Sequence, residues 1–127
     1  METFLKTILA TDRDGLARFR EEQVPLSEGT PKVTLSAVYP SAGYQLRRSP
    51  VGFRSDWHCT TTPQWVIILQ GEIEVGVRDG SSRVFRPGMH FFASDTVPAG
   101  AAFDPLRHGH WSAQRGPDVL VTLFLRT

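Results

Sequence analysis

Apolar residues in this chain come in short bursts separated by turn formers, and several bursts have the two-residue period of half-buried strands. The clearest lies between Gln64 and Val77. Trp65, Val66, Ile67, Ile68 and Leu69 make a β-branched apolar run, Gly71 and Glu72 offer a turn, and Ile73, Val75 and Val77 alternate with Glu72, Glu74 and Gly76. The pattern predicts a hairpin with one solvated face. Asp79 and Gly80 supply a second tight turn, Arg83 to Phe85 a short strand, and Arg86 to Met89 a bend into the apolar run His90 to Ala93. Upstream, Lys32 to Tyr39 and Gly43 to Arg47 read as strands on either side of Pro40 to Gly43, and Val119 to Leu125 reads as the last one.

The first residues are ambiguous by pattern. Met1, Phe4, Leu5, Ile8 and Leu9 fall at helical spacing, whereas Asp12 to Gly15 is a strong turn and Leu16 to Val24 follows it without helix caps. Residues 1–10 therefore read either as a short amphipathic helix or as one of two antiparallel strands joined at Gly15, with strands the expected form. Gly and Pro, 11 and 9 of them, are spread through the whole chain, as in an all-β sandwich or barrel. At 127 residues and 40% apolar content, one core and one domain over 1–127 are expected.

Charge narrows the partners. Lys and Arg total 14 against 13 Asp and Glu, so no net field gathers phosphates or an anionic membrane, and neither nucleic acid nor membrane is expected as a partner. The longest central apolar run, Trp65 to Leu69, is far too short to cross a bilayer. Cys59 is the single cysteine, which leaves no internal disulfide and suits a reducing, cytoplasmic setting.

The chemistry-bearing residues cluster in the middle. Gly52 is followed after five residues by His58, then Cys59 and Thr60, then after three residues Gln64, and after six more Gly71. Farther on come Phe85, Arg86, Pro87 and Gly88, and the apolar run His90 to Ala93. This spacing resembles the first and second sequence blocks of the cupin superfamily over about residues 35–125. Asp56, Trp57, His58, Pro63, Gln64, Gly71, Glu72, Asp79, Gly80, Pro87, Gly88, Asp95, Thr96, Gly109 and His110 resemble a group of small bacterial cupins, most without an assigned activity. In that group Gly-His follows Asp-Thr within a few residues, whereas here Val97 to His108 intervenes as an insertion, and His108 rivals His110 for the second-block position.

The resemblance implies an all-β fold, a double-stranded β-helix (jelly-roll-like barrel) of two antiparallel sheets, with residues 1–30 packed on the barrel or on a partner subunit. It also implies a metal set of His58, Gln64 and His110, holding one divalent iron, zinc, manganese or nickel ion. Two changes weaken that set: Thr60 stands where the family has a second histidine, and Gln64 where it has a glutamate. A small-molecule pocket lined by His58, Thr60, Gln64, Trp57, Phe91 and Trp111 is expected. On strand alternation His58 and Thr60 should share the inward face, while Cys59 points the other way.

Three functions follow as expectations: a binder of a small molecule with a degenerate metal site, a metal-dependent oxygenase or isomerase of a small polar substrate, and a mainly structural barrel. Asp56, Asp95 or Asp104 at the mouth is a candidate source of the missing carboxylate. Because Trp65, Ile67 and Leu69 lie opposite Val66 and Ile68, one face of that strand needs a cover, and a homodimer is expected. The stretch Ser94 to Arg107 has the composition of a lid.

Overall fold

The computed structural model describes residues 1–127, all of them strand, turn or extended chain. The N-terminal ambiguity resolves to strands: β1 (Thr3–Thr11) and β2 (Ala17–Pro25) form a hairpin about Gly15. A short hairpin follows, β3 (Glu28–Thr30) and β4 (Val33–Leu35). The strand expected over Lys32 to Tyr39 is only these three residues of β4, and Ser36 to Ala42 runs on without ladder partners. Then come β5 (Gly43–Ser49), β6 (Arg54–His58), β7 (Gln64–Gln70), β8 (Glu72–Gly76), β9 (Ser82–Phe85), β10 (His90–Ser94), β11 (His110–Arg115) and β12 (Leu120–Arg126).

The pairings of the last eight strands are nested. β5 pairs with β12, β6 with β11, β7 with β10 and β8 with β9, and successive pairs fall alternately in two sheets. This is one long antiparallel ribbon rolled up, the jelly roll. One sheet runs β2-β1-β10-β7-β12-β5 and the other β6-β11-β8-β9. The sheets face each other without closing into a continuous barrel. One pairing is not antiparallel: β1 joins the larger sheet by lying parallel to β10, Ile8 opposite Phe92.

The expected hairpin over Gln64 to Val77 is corrected by this arrangement. β7 belongs to the six-stranded sheet and β8 to the four-stranded one, so Gly71 is a corner between sheets. Its φ of 75° and the Val119 carbonyl oxygen, 2.6 Å from where a Cβ would stand, leave room only for glycine. The inward residues Leu9, Val66, Ile68, Val75, Phe85, Phe91 and Leu120, from both sheets, form one core. No helix long and apolar enough to cross a membrane is present.

Candidate functional site

At one end of the sandwich the inner faces part and leave a cleft of about 210 Å³. The inward alternation of each strand supplies its walls: Arg47 and Ser49 of β5, Gln64 and Val66 of β7, Phe91 and Ala93 of β10, His110 and Ser112 of β11, Thr122 and Phe124 of β12. His58 stands at the mouth with an exposed edge, and His110 lies deep, at 6% exposure.

His58 and His110 are directly paired across β6 and β11, and their ring centres are 4.4 Å apart. Gly109 makes that approach possible. Its φ is 81°, and a Cβ there would overlap the His58 carbonyl. Between this pair and Ser112–Ser55 the β6 strand carries one extra residue, a bulge. His58 and Ser55 therefore both face β11, and Ser55 Oγ lies 2.8 Å from Ser112 Oγ.

Both rings are oriented by their Nδ1 atoms. His58 Nδ1–H donates to the Asp56 carbonyl at 2.7 Å, and His110 Nδ1–H donates to Asp95 Oδ2 at 2.5 Å. Each ring thus keeps Nε2 as the nitrogen without a protein partner. Asp95 is fully buried, and its other oxygen accepts from Thr60 Oγ1 at 2.7 Å, while its carbonyl accepts from Thr60 N–H at 3.2 Å. A buried carboxylate survives only with such partners. Desolvation, together with the charges of His110 and Arg47, holds His58 below the ordinary imidazole range, and desolvation with Asp95 nearby pushes the Cys59 thiol up.

Of the residues expected around the pocket, His58, Thr60, Gln64, Phe91 and His110 are brought together. Trp57 and Trp111 are not. Trp57, adjacent to His58 on β6, points away from the cleft, and the Arg78 guanidinium covers its ring at 3.6 Å; Arg78 also donates to the carbonyls of Pro105 and His108. Trp111 alternates away from His110 and lies over the bare backbone of Gly76, its Cα partner on β8. Thr60 does not share a strand with His58, because β6 ends at His58. For the same reason Cys59 lines the cleft instead of pointing away from it. Asp95 is interior rather than at the mouth, and neither Asp56 nor Asp104 lines the cleft.

The rivalry between the late histidines is decided by a small turn. His108 Nδ1 accepts from Asp104 N–H at 2.9 Å, and its ring packs on Phe103, away from the cleft. No residue from Ser94 to Arg107 lines the cleft, so the lid expectation is corrected. That segment is tied down instead, with Arg107 donating to the Asp14 carbonyl at 2.7 Å. Sequence reading missed Arg47, the partnership of Asp95, and Ser112 and Thr122. The inward alternation of β5 and β12 is the signal that finds Arg47 and Thr122.

Two imidazoles, the amide oxygen of Gln64 and the Cys59 thiol line the cleft, and Asp95, the nearby carboxylate, spends both oxygens on His110 and Thr60. No group of three or more His, Cys, Asp or Glu side chains gathers in a metal-binding arrangement. Two imidazoles and a neutral amide oxygen, with the Cys59 thiol not gathered beside them, do not fit a tightly held divalent transition metal.

No protein-family model matches the chain, and no curated protein does. Among solved structures it is similar to the Schizosaccharomyces pombe Cnp3 cupin domain, at 16% identity and a TM-score of 0.49, over 100% of this chain and 84% of that one.

Proposed function

We propose that the chain binds a small organic molecule in the cleft between its sheets, with His58, His110 and Gln64 as its polar contacts. The observation that carries this reading is Gln64 Oε1, which is buried without any hydrogen-bond partner in the chain while its residue lines the cleft. A buried acceptor left unpaired costs about 1–3 kcal/mol, and a ligand N–H or O–H at this point removes the cost. The apolar walls Val66, Phe91 and Phe124 take the ligand's body. At about 210 Å³ the cleft is below the ~300–1,000 Å³ of drug-sized sites, so the ligand is small.

Thermal-shift and ligand-observed NMR screening of small polar organics tests this, with Gln64→Leu as the matched control. Compounds that raise the melting temperature of the parent should lose most of that effect in the variant, since a ligand that binds only the folded state must stabilise it. A screen in which no compound distinguishes the two proteins would remove the reading.

A second reading is favoured by the Asp95–His110 pair. A buried carboxylate on Nδ1 sets the tautomer and meets positive charge arising on the ring, so His110 Nε2 is placed to act as a general base on a carbon acid, without a metal. This is an isomerase-type activity. Solvent deuterium appearing in a bound carbon acid, and ceasing in His110→Gln, is its expected signature. Equal exchange in parent and variant would end it.

A further inference from the structure

The cleft has one permanent charge on its wall, and that charge has no partner. Arg47 is the only Arg, Lys, Asp or Glu that lines it. It belongs to none of the chain's ion pairs, which engage Arg18, Arg83, Arg86, Arg115 and His110. Its placement is set by the sheet. Arg47 pairs with Thr122 across β5 and β12, and Thr122 is buried and faces the cleft. Its guanidinium carbon lies 4.9 Å from the centre of the Phe53 ring and 5.8 Å from that of Phe124.

Aromatic faces hold a guanidinium by its plane and leave its N–H edge free. An N–H edge held in this way matches the two oxygens of a carboxylate. We infer that the ligand of this cleft is a small monocarboxylate with a short apolar body, its carboxylate gripped by Arg47 and its body lying among Phe53, Phe124 and Val66. This rests on the cleft being a ligand site, as proposed above. A phosphate is disfavoured, because a single arginine beside apolar rings, without a lysine on the cleft wall, offers little to a dianion.

Matched acids and amides test this: butyrate against butyramide, benzoate against benzamide, with inorganic phosphate as a third probe. Binding is followed through the backbone amides of Ser49, Ser112 and Thr122 in the parent, Arg47→Gln and Arg47→Lys. Arg47 is an exposed residue, so both variants should fold. The expected result is that acids bind the parent about tenfold or more tighter than their amides, the preference is lost in Arg47→Gln, and it returns in part in Arg47→Lys. Amides binding as well as acids, or acids holding their affinity in Arg47→Gln, would overturn the inference while leaving the ligand cleft standing. Phosphate binding as tightly as the best acid overturns the carboxylate assignment. Neither acid nor amide moving the cleft amides overturns both this inference and the ligand reading beneath it.

Discussion

Asp95 and His110 are joined by a 2.5 Å hydrogen bond in the interior, the carboxylate fully enclosed and its second oxygen held by Thr60. Removing the carboxylate strands two donors at once, His110 Nδ1–H and Thr60 Oγ1–H. Breaking a buried pair by deleting one partner costs roughly 3–5 kcal/mol, so Asp95→Ala should lose about 3 kcal/mol of unfolding free energy in urea. Asp95→Asn keeps one acceptor and should lose less, while its His110 ring should populate both neutral tautomers by nitrogen NMR. An Asp95→Ala protein within half a kcal/mol of the parent would show that the pair does not hold the site together.

Gly109 lets β6 and β11 come together at the same site. Any Cβ at that position meets the His58 carbonyl, and the φ of 81° is one that L side chains avoid. Gly109→Ala should therefore separate β6 from β11 near the histidines. The expected cost is roughly 1–3 kcal/mol, with chemical-shift changes concentrated at His58 and His110. Changes spread evenly over the chain, or none, would contradict this placement.

Much of this was legible in the residues, and what was not has physical causes. The strands were readable because Val66, Ile68, Ile73 and Val75 keep the period of two wherever one face meets the core. Gly71 was misread as a hairpin turn because a tight turn and a corner between sheets both demand a glycine at positive φ; only the partners of β7 and β8 tell them apart. Cys59 falls on the other face from the one expected because alternation does not carry past a strand end, which leaves no mark in local sequence, whereas Trp57, next to His58 on β6, lies off the cleft as alternation itself requires. Asp95 meets His110 across an insertion, a contact that spacing does not encode.

His90 links stability to pH. Its Nε2 accepts from the Thr7 N–H at 3.2 Å, a bond that ties β1 to β10 and needs the neutral ring. It lies on the outer face among Phe4 and Trp65, and desolvation together with the Lys6 charge places it below its ordinary value of 6.5. The unfolded chain therefore takes up the proton before the folded one does. Stability is full above 6.5 and falls as pH drops from there toward the depressed folded value. His58 acts in the same direction. Urea midpoints should decline between pH 7.5 and 5.5, and His90→Gln, which keeps an acceptor without a titration, should flatten part of the slope. Parallel pH profiles for parent and variant would contradict this.

The outer face of the larger sheet remains the basis for a homodimer. The chain's own Phe4 and Lys6 partly cover Trp65, but at the β5 edge Tyr44 is 69% exposed and Leu46 66%, cross-strand from Leu125 and Leu123. An apolar edge of this kind invites a second copy. Light scattering should give twice the chain mass at micromolar concentration, and a Tyr44→Lys, Leu46→Lys double variant should give the single-chain mass with an unchanged circular-dichroism spectrum. A parent that is monomeric under these conditions removes the idea.

The last prediction concerns the metal set. His58 and His110 each retain a free Nε2, their rings are 4.4 Å apart, and Gln64, which lines the same cleft, has a buried oxygen without a partner. What the set lacks is charge, since three neutral donors do little to offset a dication. Thr60→His is an unsuitable repair, because the Thr60 hydroxyl holds one oxygen of Asp95, and losing it loosens the carboxylate that orients His110. Gln64→Glu is the smaller step. It keeps the length of the side chain, supplies a carboxylate and yields two imidazoles and one carboxylate, a combination that binds divalent transition metals with positions left open. The variant should take up near one equivalent of zinc or iron(II) under conditions where the parent takes up little, and adding His110→Ala should abolish the gain. The convergence of these three side chains is falsified if Gln64→Glu folds normally and its metal content after dialysis equals that of the parent.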